Sequence, residues 1–322
     1  MLDYDMPLEE LRTYRADIEA PGDFDAFWAA TLAEARQFPL TAVFEEVDTG
    51  LVGTRTYDVT FAGFGGHPIK GWFTVPAAAT EPLPLVMHYA GYSGGRSLPH
   101  VWGLWPLAGY AHFIMDTRGQ GSGGNVGDTA DPVGSGPAGA GHMTRGVLDP
   151  EQYYYRRVYT DAVRAVEAAR SHPLVDPART AAVGASQGGG LTLAVGALVP
   201  DLLAIAPDVP FLCHFDRAAF ASPTNPYQEI ALYLKAHRDH VEPAFRTLAY
   251  FDGVHMAARG KAPALFSVGL QDEVCPPSTV FAAYNAYQGE KDMAVYPFNA
   301  HEGGGPFQEA RVLRWITKYL AR

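Results

Sequence analysis

Apolar and polar positions alternate from Thr54 to Phe64 and again from Pro68 to Val75, with Gly65-Gly66 between them. That spacing predicts an antiparallel hairpin, because strand side chains point to opposite faces with a period of two. Leu83 to Tyr89 and Ala111 to Thr117 are instead continuous apolar runs, the pattern of strands buried on both faces. Trp102 to Leu107 lies between them as a crossover helix. Further along, Tyr153 to Ser171 has the spacing of a strongly amphipathic helix that stops before His172-Pro173. Apolar runs then recur at Ala181 to Val183, Leu203 to Cys213, Ala264 to Leu270 and Met293 to Phe298, and read as strands. Helical patterns occupy Leu191 to Val199, Ile230 to Ala236, Phe245 to Tyr250, Thr279 to Tyr287 and Pro306 to Leu320.

Strands that alternate with helices imply a parallel sheet joined by right-handed crossovers. The expected fold is α/β: a mostly parallel central sheet of about eight strands flanked by helices. All of 1–322 reads as a single domain. Residues 1–40 form peripheral helices, the second of them capped by Asp23, and residues 214–260 form a small helical cap inserted between two strands. Gly119 to Gly141, dense in Gly, Asp and Pro, reads as a loop. The Tyr153-Tyr154-Tyr155 cluster reads as packing rather than a sugar platform.

The stretch Thr180 to Gly190, TAAVGASQGGG, places a serine in G-x-S-x-G between a predicted strand and a predicted helix. A nucleophile elbow needs that context, since the strained apex leaves no room for a Cβ where strand and helix cross. In this arrangement the acid and the histidine follow the nucleophile, each on a loop after a strand. The run ALFSVGL ends at Gln271-Asp272, and the next strand ends at Asn299-Ala300-His301. Ser186 is therefore the candidate nucleophile, His301 the base and Asp272 the group that orients it. The backbone N–H of Gln187 and that of Tyr92, in the loop after the third strand, are the candidate oxyanion donors.

Two competing motifs lack their context. Gly91-Tyr92-Ser93-Gly94-Gly95 also satisfies G-x-S-x-G, but Arg96-Ser97-Leu98-Pro99 is a poor helix start, so Ser93 is a loop hydroxyl. Gly119 to Gly124 satisfies G-x-G-x-x-G, yet no helix opens there, and a dinucleotide site requires one. No metal site is expected: His301-Glu302-Gly303 is not H-E-x-x-H, and His237 and His240 have no third ligand nearby in sequence.

Composition narrows the setting. A net charge of -11 argues against nucleic-acid or anionic-membrane partners. Charged residues make up 18% of the chain, which suits a large core with extensive buried or subunit-facing surface. The two cysteines, Cys213 and Cys275, do not make a disulfide framework. The acidic N-terminus has no signal-peptide pattern and no apolar run is long enough to span a bilayer, so the expectation is a soluble cytoplasmic protein.

Three motifs, Arg118-Gly119-Gln120, Gly184-Ala185-Ser186-Gln187-Gly188 and His301-Glu302, together with stretches such as GYSGGRSLPHVWGLWPLAGY and NAHEGGG, carry a resemblance from about Leu8 onward. The chain resembles the acetyl xylan esterase / cephalosporin C deacetylase family, carbohydrate esterase family seven. The resemblance implies an α/β-hydrolase with a small cap, assembled as an intracellular homohexamer. It implies deacetylation of short acetylated xylo-oligosaccharides and of cephalosporin C, with no cofactor. The family triad falls on Ser186, Asp272 and His301, and its oxyanion donors on Tyr92 and Gln187. Arg118, Gly119 and Gln120 serve structure near the site; Cys275 and Pro226 are candidates for the substrate pocket. One departure is Glu273, where a neutral polar residue is expected after the acid; Glu273 is expected to face solvent. A peptidase or amidase on the same fold would need an anchor for a peptide terminus, which is absent from the sequence. A non-catalytic carbohydrate-binding protein would have no need of an intact triad.

Overall fold

Val43–Val47 (β1), Thr54–Ala62 (β2) and Pro68–Pro76 (β3) form an antiparallel ribbon. β2 and β3 are the expected hairpin. β1 has no counterpart in the sequence reading, because VFEEV is an edge strand with no buried residue and so carries no period-two apolar signal. Leu83–Tyr89 (β4), Ala111–Met115 (β5), Val175–Ala185 (β6), Ala204–Asp208 (β7), Ala264–Gly269 (β8) and Lys291–Tyr296 (β9) run parallel to one another. The nine strands make one sheet in the order β1-β2-β3-β5-β4-β6-β7-β8-β9, with β3 antiparallel to β5. This computed structural model describes residues 4–133 and 141–321, so residues 134–140 of the predicted loop lie outside the described residues.

Helices cover both faces. They are Leu8–Leu11 (α1), Phe24–Ala35 (α2), Leu104–Leu107 (α3), Tyr154–Arg170 (α4), Gln187–Leu198 (α5), Phe215–Ala221 (α6), Tyr227–Ala236 (α7), Val241–Leu248 (α8), Gly253–Ala257 (α9), Pro277–Ala286 (α10) and Gly305–Leu320 (α11). One face carries the larger core, with α2, α4, α5, α9 and α10. The other carries a smaller cluster in which Val86, Ala181, Val183 and Leu265 of the sheet meet Trp105 of α3 and Val312, Ile316 and Leu320 of α11. Among the described residues no helix is long and apolar enough to cross a membrane.

α4 is helical where the spacing predicts it, but its polar face is not solvated. Arg156, Arg157, Asp161 and Arg164 are all buried. Burying unpaired charge is costly, and these are paired: Arg157 with Asp131, Asp161 with Arg118, Arg156 with Glu34 and Glu151, and Arg164 with Glu167. The tyrosine cluster is core, as expected, with Tyr153, Tyr154 and Tyr155 each 0% exposed.

The N-terminal segment packs deeply. Leu11, Phe24 and Trp28 are buried, and Trp28 stacks on Tyr159 of α4. Asp23 sits at the start of α2 but makes no side-chain cap; its Oδ1 accepts instead from the Tyr250 hydroxyl. Asp5 accepts from Arg217 of α6 and from the Ser278 N–H at the start of α10, tying the segment to both helices.

The apolar run from Leu203 reads as one strand to Cys213, yet β7 ends at Asp208. Val209, Leu212 and His214 all have positive φ, so the chain coils beneath the elbow. Its apolar residues are buried by that packing rather than by strand pairing. The elbow depends on this closeness. A Cβ on Gly188 would lie 2.1 Å from the Tyr89 carbonyl oxygen, and one on Gly184 would lie 2.4 Å from the Gly188 oxygen. Both obstacles are backbone, which cannot rotate away. Gly188→Ala is therefore expected to lower the unfolding free energy by about 2–3 kcal/mol in urea denaturation, and an unchanged midpoint would show that β4 and α5 can part at this point.

Candidate active site

The carboxyl ends of β4, β6, β7, β8 and β9 open on one side of the sheet, where ligands of open α/β sheets bind. Ser186 lies between β6 and α5 with φ 58 and ψ -120. A non-glycine residue there stores about 1–3 kcal/mol of strain. Three hydrogen bonds hold it: its N–H donates to Asp208 O (3.0 Å), and its carbonyl accepts from Phe211 N–H (2.9 Å) and Gly190 N–H (3.0 Å). The hydroxyl is thereby presented at the apex, half-buried.

Asp272 and His301 arrive from the ends of β8 and β9. His301 Nδ1 lies 2.8 Å from Asp272 Oδ2, and His301 Nε2 lies 3.0 Å from Ser186 Oγ. A carboxylate only accepts, so Nδ1 carries the proton and Nε2 is left to accept from the serine. The other oxygen, Asp272 Oδ1, accepts from the N–H groups of Val274 (2.8 Å) and Cys275 (2.9 Å). Asp272 is 0% exposed, so its orientation is fixed by bonds at both oxygens. Glu273 faces solvent, as expected.

The backbone N–H groups of Tyr92 and Gln187 have no hydrogen-bond partner among the described residues. Both border the Ser186 hydroxyl in sequence or in space, Gln187 as the first residue of α5 and Tyr92 on the wall of the cavity that holds Ser186. Two unpaired donors, one of them at a helix start, suit a developing oxyanion.

The Arg118-Gly119-Gln120 motif proves to be two devices. Arg118 is fully buried and bonds Asp161 through Nε (2.6 Å) and Nη2 (2.8 Å), with Asp131 at 3.3 Å. Gly119 has φ +68 and lets the chain turn between Arg118 and Gln120. Gln120 reaches inward. Its Oε1 accepts from the Ser93 N–H (2.8 Å), and its Nε2 donates to Gln187 Oε1 (2.8 Å) and the Tyr154 hydroxyl (3.1 Å). Gln187 Oε1 also accepts from Tyr155 (2.9 Å). One buried amide pair thus joins the elbow to the Tyr92 loop. The Ser93 side chain belongs to that loop, whose carbonyl at Ser93 accepts from the N–H groups of Gly121, Ser122 and Gly123.

Two cavities meet at Ser186 and His301. The first, about 600 Å³, is walled by Tyr92, His142, Pro226, Glu229 and Val274. Pro226 is on this wall; Cys275 is fully buried and is not among the lining residues. Glu229 of α7 was not singled out by the sequence reading. Its carboxylate accepts from the Tyr92 hydroxyl (2.7 Å) and the Met143 N–H (3.0 Å). The available signal was an acidic residue beside Ile230 on the apolar face of a helix. Burial raises the Glu229 carboxyl, and burial together with that carboxylate raises the Tyr92 hydroxyl, so the tyrosine remains a donor. Burial also pushes His142 down to about 4, which keeps it neutral.

The second cavity, about 480 Å³, lies toward α11 and contains Trp102, Asn125, Asp208 and Gln308. Asp272, Cys275 and His301 each offer one ligand atom within 4.8 Å of the others. The Asp272–His301 hydrogen bond already occupies two of these, and burial raises the Cys275 thiol, away from the thiolate that a metal needs.

Comparison with known proteins gives a consistent family. A family model described as acetyl xylan esterase matches residues 1–319. An acetyl esterase, Axe7A, of Xylanibacter ruminicola is 28% identical over 302 residues, which is 93% of this chain and 67% of that protein. The acetyl xylan esterase from Paenibacillus sp. R4 superposes with a TM-score of 0.93 at 41% identity, covering 98% of this chain and 100% of that one. Acetyl xylan esterase 1 from Thermoanaerobacterium sp. JW/SL YS485 gives 0.90 at 33% identity, covering 98% and 99%. The acylaminoacyl peptidase of Pyrococcus horikoshii, at 14% identity, TM-score 0.56, and 89% and 42% coverage, shares the α/β-hydrolase fold alone.

Two outcomes follow from the buried polar groups. Gln120→Leu leaves the Ser93 N–H and the Gln187 carbonyl without this partner, a loss of about 1–3 kcal/mol. Labelling of Ser186 by a fluorophosphonate should then slow about tenfold, since 1.4 kcal/mol is a factor of ten; equal rates would mean that the amide pair does not hold the elbow. Asp208 is raised by burial to about 7. The folded chain therefore keeps a proton there that the unfolded chain releases near 3.8, and stability falls as pH rises between those values. Asp208→Asn should remove that slope, so urea midpoints should favour the variant more at pH ~7.5 than at pH ~4.5. An equal difference at both pH values contradicts a late-titrating carboxyl.

Proposed function

The chain belongs to the acetyl xylan esterase family, and from that premise we propose that it is a serine carboxylesterase removing acetyl groups from small acetylated substrates. Acetylated xylo-oligosaccharides and cephalosporin C are the substrates proposed. The observation that carries the reading is the hydrogen-bonded chain Ser186–His301–Asp272, with two unpaired backbone N–H groups beside it. In this mechanism Ser186 Oγ attacks the acetyl carbonyl while His301 Nε2 takes its proton. The tetrahedral oxyanion accepts from the N–H groups of Tyr92 and Gln187. His301 then gives the proton to the leaving alcohol, and a water molecule, deprotonated by the same nitrogen, releases acetate from the acyl-serine. Asp272 holds the imidazole in its tautomer and stabilises the imidazolium.

Restriction to short acyl groups is part of the proposal, with Tyr92, Pro226 and Val274 on the wall of the first cavity. A cytoplasmic setting is proposed as well, supported by two buried free thiols, Cys213 and Cys275. A homohexamer is proposed on the family resemblance, and the exposed apolar residues Leu98, Val101, Leu104 and Leu107 offer surface for it; a monomer by light scattering removes that part.

The test is an acyl-chain series. Turnover of 4-nitrophenyl acetate should exceed that of the butyrate by about tenfold or more, one methylene being worth about 1–3 kcal/mol in a closed pocket. Octanoate hydrolysed as fast as acetate would refute the acetyl pocket. Ser186→Ala should lower kcat by about 10⁴-fold or more and abolish fluorophosphonate labelling, whereas Ser93→Ala should still label. The reverse pattern would move the nucleophile to Ser93.

A further inference from the structure

The triad needs two distances held at once, His301 to Asp272 and His301 to Ser186. The first is held by backbone. Asp272 follows β8 and His301 follows β9, and these two strands are paired along their length, from Ala264↔Lys291 to Gly269↔Tyr296. The ladder continues into the loops, where the Leu270 N–H donates to Tyr296 O (3.0 Å) and the Gln271 N–H to Asn299 O (3.0 Å). A Cβ on Gly269 would lie 2.2 Å from the Ala300 carbonyl oxygen, so the two loops are in close contact.

The second distance has no such support. Ser186 follows β6, and β7 and β8 stand between that strand and β9. Among the described residues, one hydrogen bond besides the triad contact joins the segment 297–308 to the elbow and β7: Gln308 Nε2 donates to Asp208 Oδ1 (2.6 Å). Both ends of that bond are anchored. Asp208 is the residue whose backbone oxygen accepts from the Ser186 N–H (3.0 Å), so its carboxyl is rooted beside the nucleophile. Gln308 is buried in the first turn of α11, the helix that begins just after the histidine loop. Its Oε1 accepts from the Tyr296 hydroxyl (2.8 Å), which leaves Nε2, the donor, to face Asp208. Tyr296 in turn lies against the histidine loop, since a Cβ on Gly304 would lie 2.2 Å from its ring. The chain Asp208–Gln308–Tyr296 thus runs from the foot of the elbow to both ends of the histidine segment.

An amide suits the carboxyl it holds. Burial raises Asp208 to about 7, against the hydrogen bonds from Gln308 and Ser267, and Glu309 of α11 adds to the rise. His301 and Glu302 line the same cavity. A neutral donor can bond this carboxyl whether or not it carries its proton, and puts no further charge near the imidazole.

We propose that Gln308 and Asp208 are positioning residues for the triad histidine: their bond, backed by Tyr296, sets the separation of His301 Nε2 from Ser186 Oγ across β7 and β8. The inference rests on the serine-esterase reading of the triad. It assigns Gln308 and Asp208 no proton to move and no substrate to hold; they act through the placement of His301, and a misplacement of about 1 Å costs on the order of a hundredfold in rate.

The readout is the rate at which diisopropyl fluorophosphate labels Ser186. Its leaving group is fluoride, so a lost contact to a bulky alcohol does not enter that rate. Gln308→Leu should slow labelling about tenfold, the effect of a carboxyl left without its buried donor. The kcat for 4-nitrophenyl acetate should fall in step, with KM within about twofold of wild type. Asp208→Leu should behave alike, and Asp208→Asn, which keeps an oxygen for the Gln308 donor, should recover at least about threefold of the loss. Gln308→Glu sets a second carboxyl against Asp208. One shared proton holds such a pair together, and its loss as pH rises drives the two apart, so labelling relative to wild type should fall about tenfold between pH ~6 and pH ~8. Loss of packing alone has no such pH dependence. Labelling of Gln308→Leu within about twofold of wild type overturns the proposal, as does a Gln308→Glu defect equal at both pH values. If Gln308→Leu does not fold, Tyr296→Phe, which removes one hydroxyl at a half-buried position, decides: about a threefold slowing is expected, and none overturns the proposal. Should the wild-type chain take no label and hydrolyse no ester, the triad reading fails, and crystal structures of the wild type and Gln308→Leu decide the positioning role. A Ser186–His301 separation opened beyond about 3.5 Å supports it, and an unchanged separation overturns it.

Discussion

A serine held at positive φ between a strand and a helix is a conformation the chain does not adopt unaided. It persists because backbone surrounds it. Asp208 and Phe211 take up the Ser186 N–H and carbonyl, and α5 lies against β4 too closely to admit a side chain at position 188. Next to it β7 ends at Asp208, and Val209, Leu212 and His214 take positive φ. Strain at the apex is thus matched by close packing beneath it, and this fixes the Ser186 hydroxyl to the sub-ångström tolerance that a hydrogen bond to His301 requires.

Around the elbow the fold uses buried polar groups as positioning elements. The amide pair of Gln120 and Gln187 joins the two segments that carry the unpaired N–H groups of Tyr92 and Gln187, while Tyr154 and Tyr155 complete its bonds from α4. Further out, Arg118 and Arg157 converge on Asp131 and Asp161. A buried ion pair is a weak source of stability, because desolvation offsets much of the attraction. Its geometric consequence is stronger: it fixes the segment after β5, and with it Gln120. Glu229 does the same from α7 by holding the Tyr92 hydroxyl.

The two sides of the site are held from different elements. One cavity is bounded by the segment after β4, α7 and the loop of the acid. The other is bounded by the histidine loop and α11. Glu229 of α7 steadies the first side, and in the reading proposed above the Gln308–Asp208 bond steadies the second.

The sequence by itself determined the order of the strands and of the polar residues that stand at their ends. Apolar runs marked each parallel strand of the central sheet, and the residues just past them were Tyr92, Ser186, Asp272 and His301. Strand ends are readable from where a run of apolar residues stops, and the ends of an open parallel sheet are where groups from distant parts of the chain can meet. The runs were less informative where burial had another cause: β1 is too exposed to show a pattern, and Leu203 to Cys213 is buried without being a strand beyond Asp208. Only the tertiary structure decided which polar residues support the site. Gln120 and Gln187 are 67 positions apart, and Tyr92 and Glu229 are 137 apart. No local periodicity encodes such a contact. Glu229 stands beside Ile230 in a helical pattern, but only the fold places a tyrosine hydroxyl against its carboxylate, and the second cavity exists only once β4, β7 and α11 have come together.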